Sequence, residues 1–306
     1  MIVLTMTPRF PLLAFLLAVA LPAISAMSAA TADAADAADV DPAALLAKSV
    51  AAFQKNLASQ KHWNWSIAET RILTDKSGRG VHPLPSVTSE SVIRGDGRRC
   101  NAVTAWGDGH APYMKDADPD ERCQAYNALG TPFDVALLLK SANAKLAGQT
   151  AAAITISVLP DKSHLKAADY AVRCAASIKA SIALDPASFF PVGIEGEVVE
   201  SGCDSQFIPV VHDESAARQP MTSQFRKGAN FRVSYVLQKD KFDNPANAYW
   251  ISATQHYSQP WNKDARLLYY WGRQFRVPAN NATRLVKDIE TTAQEFGAGS
   301  ELRFDK

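Results

Sequence analysis

Residues 171–200, AVRCAASIKASIALDPASFFPVGIEGEVVE, contain two stretches able to extend fully, separated by a proline turn. Ile178 to Leu184 is the first stretch and Phe189 to Val199 the second; Asp185-Pro186-Ala187-Ser188 joins them. Pro186 fixes φ and cannot donate to a ladder, so it belongs in the turn. Two such strands pair as a hairpin, and a lone hairpin is marginal in water. The rest of the chain must therefore add strands, or a helix, to cover its apolar face.

A clear period of two appears elsewhere. In HWNWSIAETRILT, residues 62–74, Trp63, Trp65, Ile67, Glu69 and Arg71 share one face. Further strands are expected at 87–93, 98–106, 154–159, 207–211, 229–239, 249–257 and 267–277, the last bending at Gly272. Pro83 and Pro85 place the start of the second strand at an edge or in a loop. Residues 284–296 carry both helix and strand signals and are read as a strand because strand and turn alternate before them. Two helices are expected. One spans 42–59, with Asp41 as cap, Pro42 at the first position, and Leu45, Leu46, Val50, Phe53 and Leu57 at helical spacing. The other runs from Thr131 through Leu146 and ends at Gly148. Few spacings suit a strand–helix–strand crossover, so the fold class is mainly β (α+β), with an antiparallel sheet shielded by the first helix.

The chain's beginning reads as an export leader. Arg9 is followed by an apolar run from Pro11 to Leu21, then by small residues around Ala26. That run is too short to span a bilayer comfortably, so no stable membrane span is expected after cleavage. Residues 1–26 are thus expected to be a signal peptide, 27–41 an Ala/Asp-rich linker, and 42–306 a single domain. The sequence holds 32 basic and 31 acidic residues, and Arg9 leaves with the leader. The remainder is balanced, with no basic excess to attract nucleic acid. Cys100, Cys123, Cys174 and Cys203 are an even set in an exported chain, which favours disulfides. Three pairings exist; joining sequence neighbours, Cys100 to Cys123 and Cys174 to Cys203, is the simplest. No close cluster of cysteines suggests a metal, and no cofactor motif is present. Asp116, Asp118 and Asp120 alternate in the manner of calcium ligands, but Glu121 and Asn127 break the EF-hand pattern.

Catalytic signals are weak. There is no G-x-S-x-G elbow, and the six histidines are scattered. Glu195 and Glu197 would lie roughly 7 Å apart on one strand face, a spacing that two glycosidase carboxylates could use and that any wet sheet face also shows.

The element order is similar to that of the periplasmic lipoprotein-carrier and anti-sigma-regulator group. The similarity is carried by the amphipathic helix at 42–59, by IKASIALDPASFFPVGIEGEV, and by YWISATQHYSQPWNKDARLLYYWGRQFRV with 284–304 as its partner. It implies a strongly curved antiparallel sheet or incomplete barrel with helices over its opening. It also implies a periplasmic or secreted location, and a lipid, another hydrophobic ligand or an envelope protein as partner. Trp63, Trp65, Trp106, Trp250 and Trp271 are then candidates to line an apolar hollow on the concave side, though any of them could fill the core. Three functions compete: an envelope protein that binds an apolar ligand or a partner, an interaction module with a filled core, and a hydrolase.

Overall fold

The computed structural model describes residues 41–59, 63–93, 98–108, 123–125, 135–204, 225–239, 248–261, 267–270, 273–277 and 281–295. The expectations at 1–40, at 207–211 and at Asp116, Asp118 and Asp120 lie outside them. Among these residues are three α-helices: α1 (Pro42–Ser59), α2 (Val135–Leu139) and α3 (Tyr170–Ala176). Eleven strands form one sheet: β1 (Trp63–Thr74), β2 (Gly80–Ile93), β3 (Arg98–Trp106), β4 (Cys123–Ala125), β5 (Ala144–Gln149), β6 (Ile154–Val158), β7 (Ile178–Leu184), β8 (Pro191–Val198), β9 (Asn230–Gln238), β10 (Tyr249–Pro260) and β13 (Arg284–Glu295). A separate two-stranded sheet holds β11 (Leu267–Tyr270) and β12 (Arg273–Arg276).

The large sheet is antiparallel, curved and not closed into a barrel, in the order β4-β3-β2-β1-β13-β10-β9-β8-β7-β6-β5. Two meanders, β1 to β4 and β5 to β10, are joined in the described sheet through β13, which pairs with β1 along its whole length and with β10 from Thr254 to Pro260. Register shifts at Glu69/Arg71, Thr88/Ser89, Ser252/Thr254 and Leu146/Gly148 add local twist. Pro83 and Pro85 fall within β2, where they are tolerated because β3 pairs with β2 only from Val87 onward.

α1 forms where the sequence puts it. The Asp41 carboxylate accepts from the Ala43 N–H at 3.0 Å, and Leu45, Val50 and Phe53 are buried. The same face buries Asn56. Its side-chain amide donates to the Trp250 carbonyl at 2.9 Å, and its Oδ1 accepts from the Trp250 N–H at 2.6 Å. These two bonds fasten α1 to β10 just where β10 has parted from β13. Asn56→Ala should therefore destabilise the protein by about 2 kcal/mol, because it orphans two largely buried backbone groups. A urea melt that shifts by less than about 0.5 kcal/mol would show that α1 is held by its apolar side chains alone.

α1, α2 and α3 pack onto one face of β6 to β10, where Ile154, Ile156, Ile182, Ile194 and Val233 build the main core. Trp65 and Ile67 of β1 join it. Leu73, Leu84, Trp261, Val277, Ala282 and Leu285 form a second cluster at the far end of β1 and β13.

Two expected elements differ. The helix expected through Leu146 ends at Leu139, and 144–149 is the edge strand β5. Ser141 and Asn143 break the helix: the Ser141 hydroxyl accepts from the Asn143 N–H at 3.3 Å, and the Asn143 amide donates to the Pro160 carbonyl at 2.9 Å. That tie lays Ala144 opposite Val158. The single strand expected at 267–277 is instead the hairpin β11–β12, with Tyr270 opposite Arg273 and only Trp271-Gly272 between them. Helix α3 and the short strand β4 were not anticipated.

Candidate functional site

The β7–β8 turn has an unusual backbone. The Asp185 carboxylate accepts from the Ser188 N–H at 2.7 Å and from its hydroxyl at 2.6 Å. The Phe189 N–H donates to the Asp185 carbonyl at 2.8 Å, which closes one helical turn and leaves Phe189 at φ 58°. That left-handed conformation is disfavoured for a bulky side chain by about 1–2 kcal/mol. Glycine or asparagine would build the turn with less strain.

The two phenylalanines serve different surfaces. Phe190 is buried; its ring lies 5.1 Å from Trp250 and 5.9 Å from Phe53, nearly parallel to both, and Tyr235 meets it edge-on at 5.6 Å. Phe189 is half-buried, with the Lys48 ammonium 5.0 Å from its ring centre. Between this turn, the end of β9 at Leu237, the start of β10 around Ala248 and Trp250, and α1 runs a groove of about 510 Å³. Phe189, Phe190, Leu237 and Trp250 line its sheet side, and Lys48, Ala51, Ala52 and Lys55 its helix side. Leu237 is 40% exposed at the lip.

A second cavity, of about 560 Å³, sits at the β1–β2 turn, around Asp75, Ser77, Arg79 and Thr283. Its carboxylate is engaged locally: Asp75 accepts from the Ser77 hydroxyl and N–H and from the Arg79 N–H. Those bonds, the Ser77 hydroxyl first, hold its pKa below the usual value.

The buried side of β1, β13 and β10 carries charge. Glu69 and Arg71 are both buried and joined by a 2.8 Å bond from Arg71 Nε to Glu69 Oε1. Lys287 lies opposite Arg71 on one side and Tyr257 on the other, with its Nζ 4.8 Å from the Tyr257 ring centre. Burial pulls the Lys287 amine down to about 8; the Glu69 carboxylate works against this and Arg71 adds to it. Burial likewise raises the Tyr257 phenol well above its ordinary value. Tyr257 donates to Gln255 Oε1 at 2.6 Å, and the Gln255 amide donates to the Ser252 hydroxyl at 3.1 Å.

Of the tryptophans singled out by sequence, Trp250 lines the groove. Trp65 is packed edge-on against Tyr249 in the main core, and Trp106 is buried beside Phe275. Trp63 stands opposite Glu295 in β1–β13, and Trp271 lies outside the described residues. Cys174 and Cys203 form a buried disulfide; Cys100 and Cys123 stand directly opposite in β3–β4. Glu195 and Glu197 face outward, and Glu195 pairs with Arg232 at 2.7 Å. His256 bonds Asp288 across the exposed face at 2.6 Å. Among the described residues no cluster of His, Cys, Asp or Glu could hold a metal, and no helix is long and apolar enough to cross a membrane. Sequence reading missed Phe189, Lys48, Lys55 and Leu237 as groove residues. The Phe-Phe pair directly after a proline turn was the one local signal.

No family model and no curated protein matches the chain. Among solved structures it bears a weak resemblance in fold to LolA-superfamily proteins and to MucB. A LolA superfamily protein from Nitrosomonas europaea is 6% identical, with a TM-score of 0.35 over 81% of this chain and 94% of that one. A DUF1329 family protein from Desulfovibrio piger is 10% identical, with a TM-score of 0.35 over 84% and 95%. A chain of the MucA/MucB complex from Pseudomonas aeruginosa is 9% identical, with a TM-score of 0.24 over 82% and 99%.

Proposed function

We propose that this chain is an exported, non-enzymatic envelope protein that holds the apolar part of a ligand in the groove between α1 and the β7–β8 turn. Export is supported by the leader-like residues 1–26 and by the Cys174–Cys203 disulfide, which suits an oxidising compartment. Binding rests on one observation: Phe189 is held in a disfavoured backbone conformation at the wall of an apolar, solvent-reachable groove. Strain of this kind collects where a side chain is needed in a particular place. The groove's volume also falls in the ordinary range for small-molecule sites.

An interaction module with a filled core is the second reading. The close stack of Phe53, Phe190 and Trp250 beneath the groove favours it, since the space under α1 is already packed. Native mass spectrometry of the protein purified from the cell envelope separates the two. A retained lipid-sized mass, lost in Phe189→Gly, is expected of a binder. That variant should stay folded, because glycine relieves the positive φ and so offsets part of the burial lost with the half-buried ring. A bare polypeptide mass, together with no uptake of N-phenylnaphthylamine, would overturn the binding reading.

A further inference from the structure

Resting on the groove as a binding site, we infer that its ligand is a long-chain fatty acid whose carboxylate is held by Lys48 and Lys55. The two lysines and the two alanines between them fall at i, i+3, i+4 and i+7, so they form one stripe along α1. A helix rise of 1.5 Å per residue separates the lysines by about 10 Å. Ala51 and Ala52 keep the surface between them low. The facing wall is apolar, with Phe189, Leu237 and Trp250. Among the described residues, the groove lining carries two cations and no carboxylate, and no ion pair engages Lys48 or Lys55. Lys48 is instead kept at the rim over the Phe189 ring. The groove is thus greasy on its sheet side and positive on its helix side. One hydrocarbon chain ending in an anion matches both sides at once. A volume of about 510 Å³ suits one chain better than two.

The test is calorimetric titration of the delipidated protein with tetradecanoic acid and with tetradecanol, which share a chain and differ in the head. The acid should bind roughly five-fold tighter at low ionic strength, the strength of exposed charge pairs, and the difference should shrink as salt is added. The double variant Lys48→Gln/Lys55→Gln should bring the acid down to the affinity of the alcohol. Equal binding of acid and alcohol to the parent overturns the fatty-acid inference and leaves the groove reading standing. So does a preference for a two-chain phospholipid or an acidic amphipathic peptide over the acid. Binding of neither probe removes the groove reading, and this inference with it.

Discussion

Glu69→Ala is expected to lower folding stability by about 3–5 kcal/mol, the usual consequence of removing one partner from a buried ion pair. Glu69 and Arg71 are each 6% exposed at the side chain, and Lys287 stands in register beside Arg71. Without the carboxylate, two cations share one buried face with less to offset them. Replacing both members of the pair by methionine should be milder than Glu69→Ala, because Arg71 is then not stranded and Lys287 loses its repelling neighbour along with its attracting one. A loss below about 1 kcal/mol for Glu69→Ala in urea denaturation would show that water reaches the pair.

The same cluster sets a pH signature. Lys287 is held near 8 in the folded protein against an ordinary value of 10.5. Between those values the unfolded chain binds more protons than the folded one, so stability rises with pH across that window. Below it the full penalty for a charged Lys287 is present. The rise is at most about 3 kcal/mol, reduced by whatever solvent reaches the half-buried side chain. In Lys287→Met the rise should vanish and stability at neutral pH should increase. A Lys287→Met protein whose profile still climbs in parallel with the parent would assign the effect elsewhere.

Removing the Cys174–Cys203 disulfide should cost about 3–4 kcal/mol, from the closure entropy of a loop of this length. The bond ties α3 to the short 3₁₀ turn after β8, across the open end of the β7–β8 hairpin. Several groups are arranged around it. The Tyr170 hydroxyl donates to the Cys203 carbonyl at 3.1 Å, and the Val199 N–H donates to the Ser177 carbonyl at 2.9 Å. The double variant Cys174→Ala/Cys203→Ala should melt about 10 °C lower. A shift under about 2 °C would mean that the hydrogen bonds hold that end without the cross-link. Non-reducing peptide mapping should also recover Cys100 joined to Cys123, as their opposed register in β3–β4 leads us to expect.

What could be read from the sequence was what local chemistry decides. Asp41-Pro42 and the spacing of Leu45, Val50 and Phe53 define α1 without help from the rest of the chain. Alternation in β1 and β9 gave those strands and their phase, while β7 was read only as a stretch able to extend; Trp65, Ile67, Glu69 and Arg71 do share a buried face. The misreadings occur where a distant partner decides. Ala-Lys-Leu-Ala at 144–147 has good helix propensity and becomes strand only because β6 lies beside it. Trp65 and Trp250 both lie in long strands, yet one is core and the other, out of phase with the buried Tyr249 and Ile251, borders the groove. What brings a second wall to Trp250 is α1, fastened to β10 by Asn56, a residue 194 positions earlier. Lys48 and Lys55 read as the wet side of a helix, and nothing local shows that the β7–β8 turn rises to meet them.

β13 follows every other described strand in the sequence and is the one that joins the two meanders. A ribosome releases it after every other described strand, so the first meander cannot acquire its central neighbour until the whole second meander has been made. Contacts of such sequence separation form slowly, and until then the outer edge of β1 is bare and open to wrong partners. A truncation that removes β13 would therefore split the sheet through its middle instead of shortening an edge.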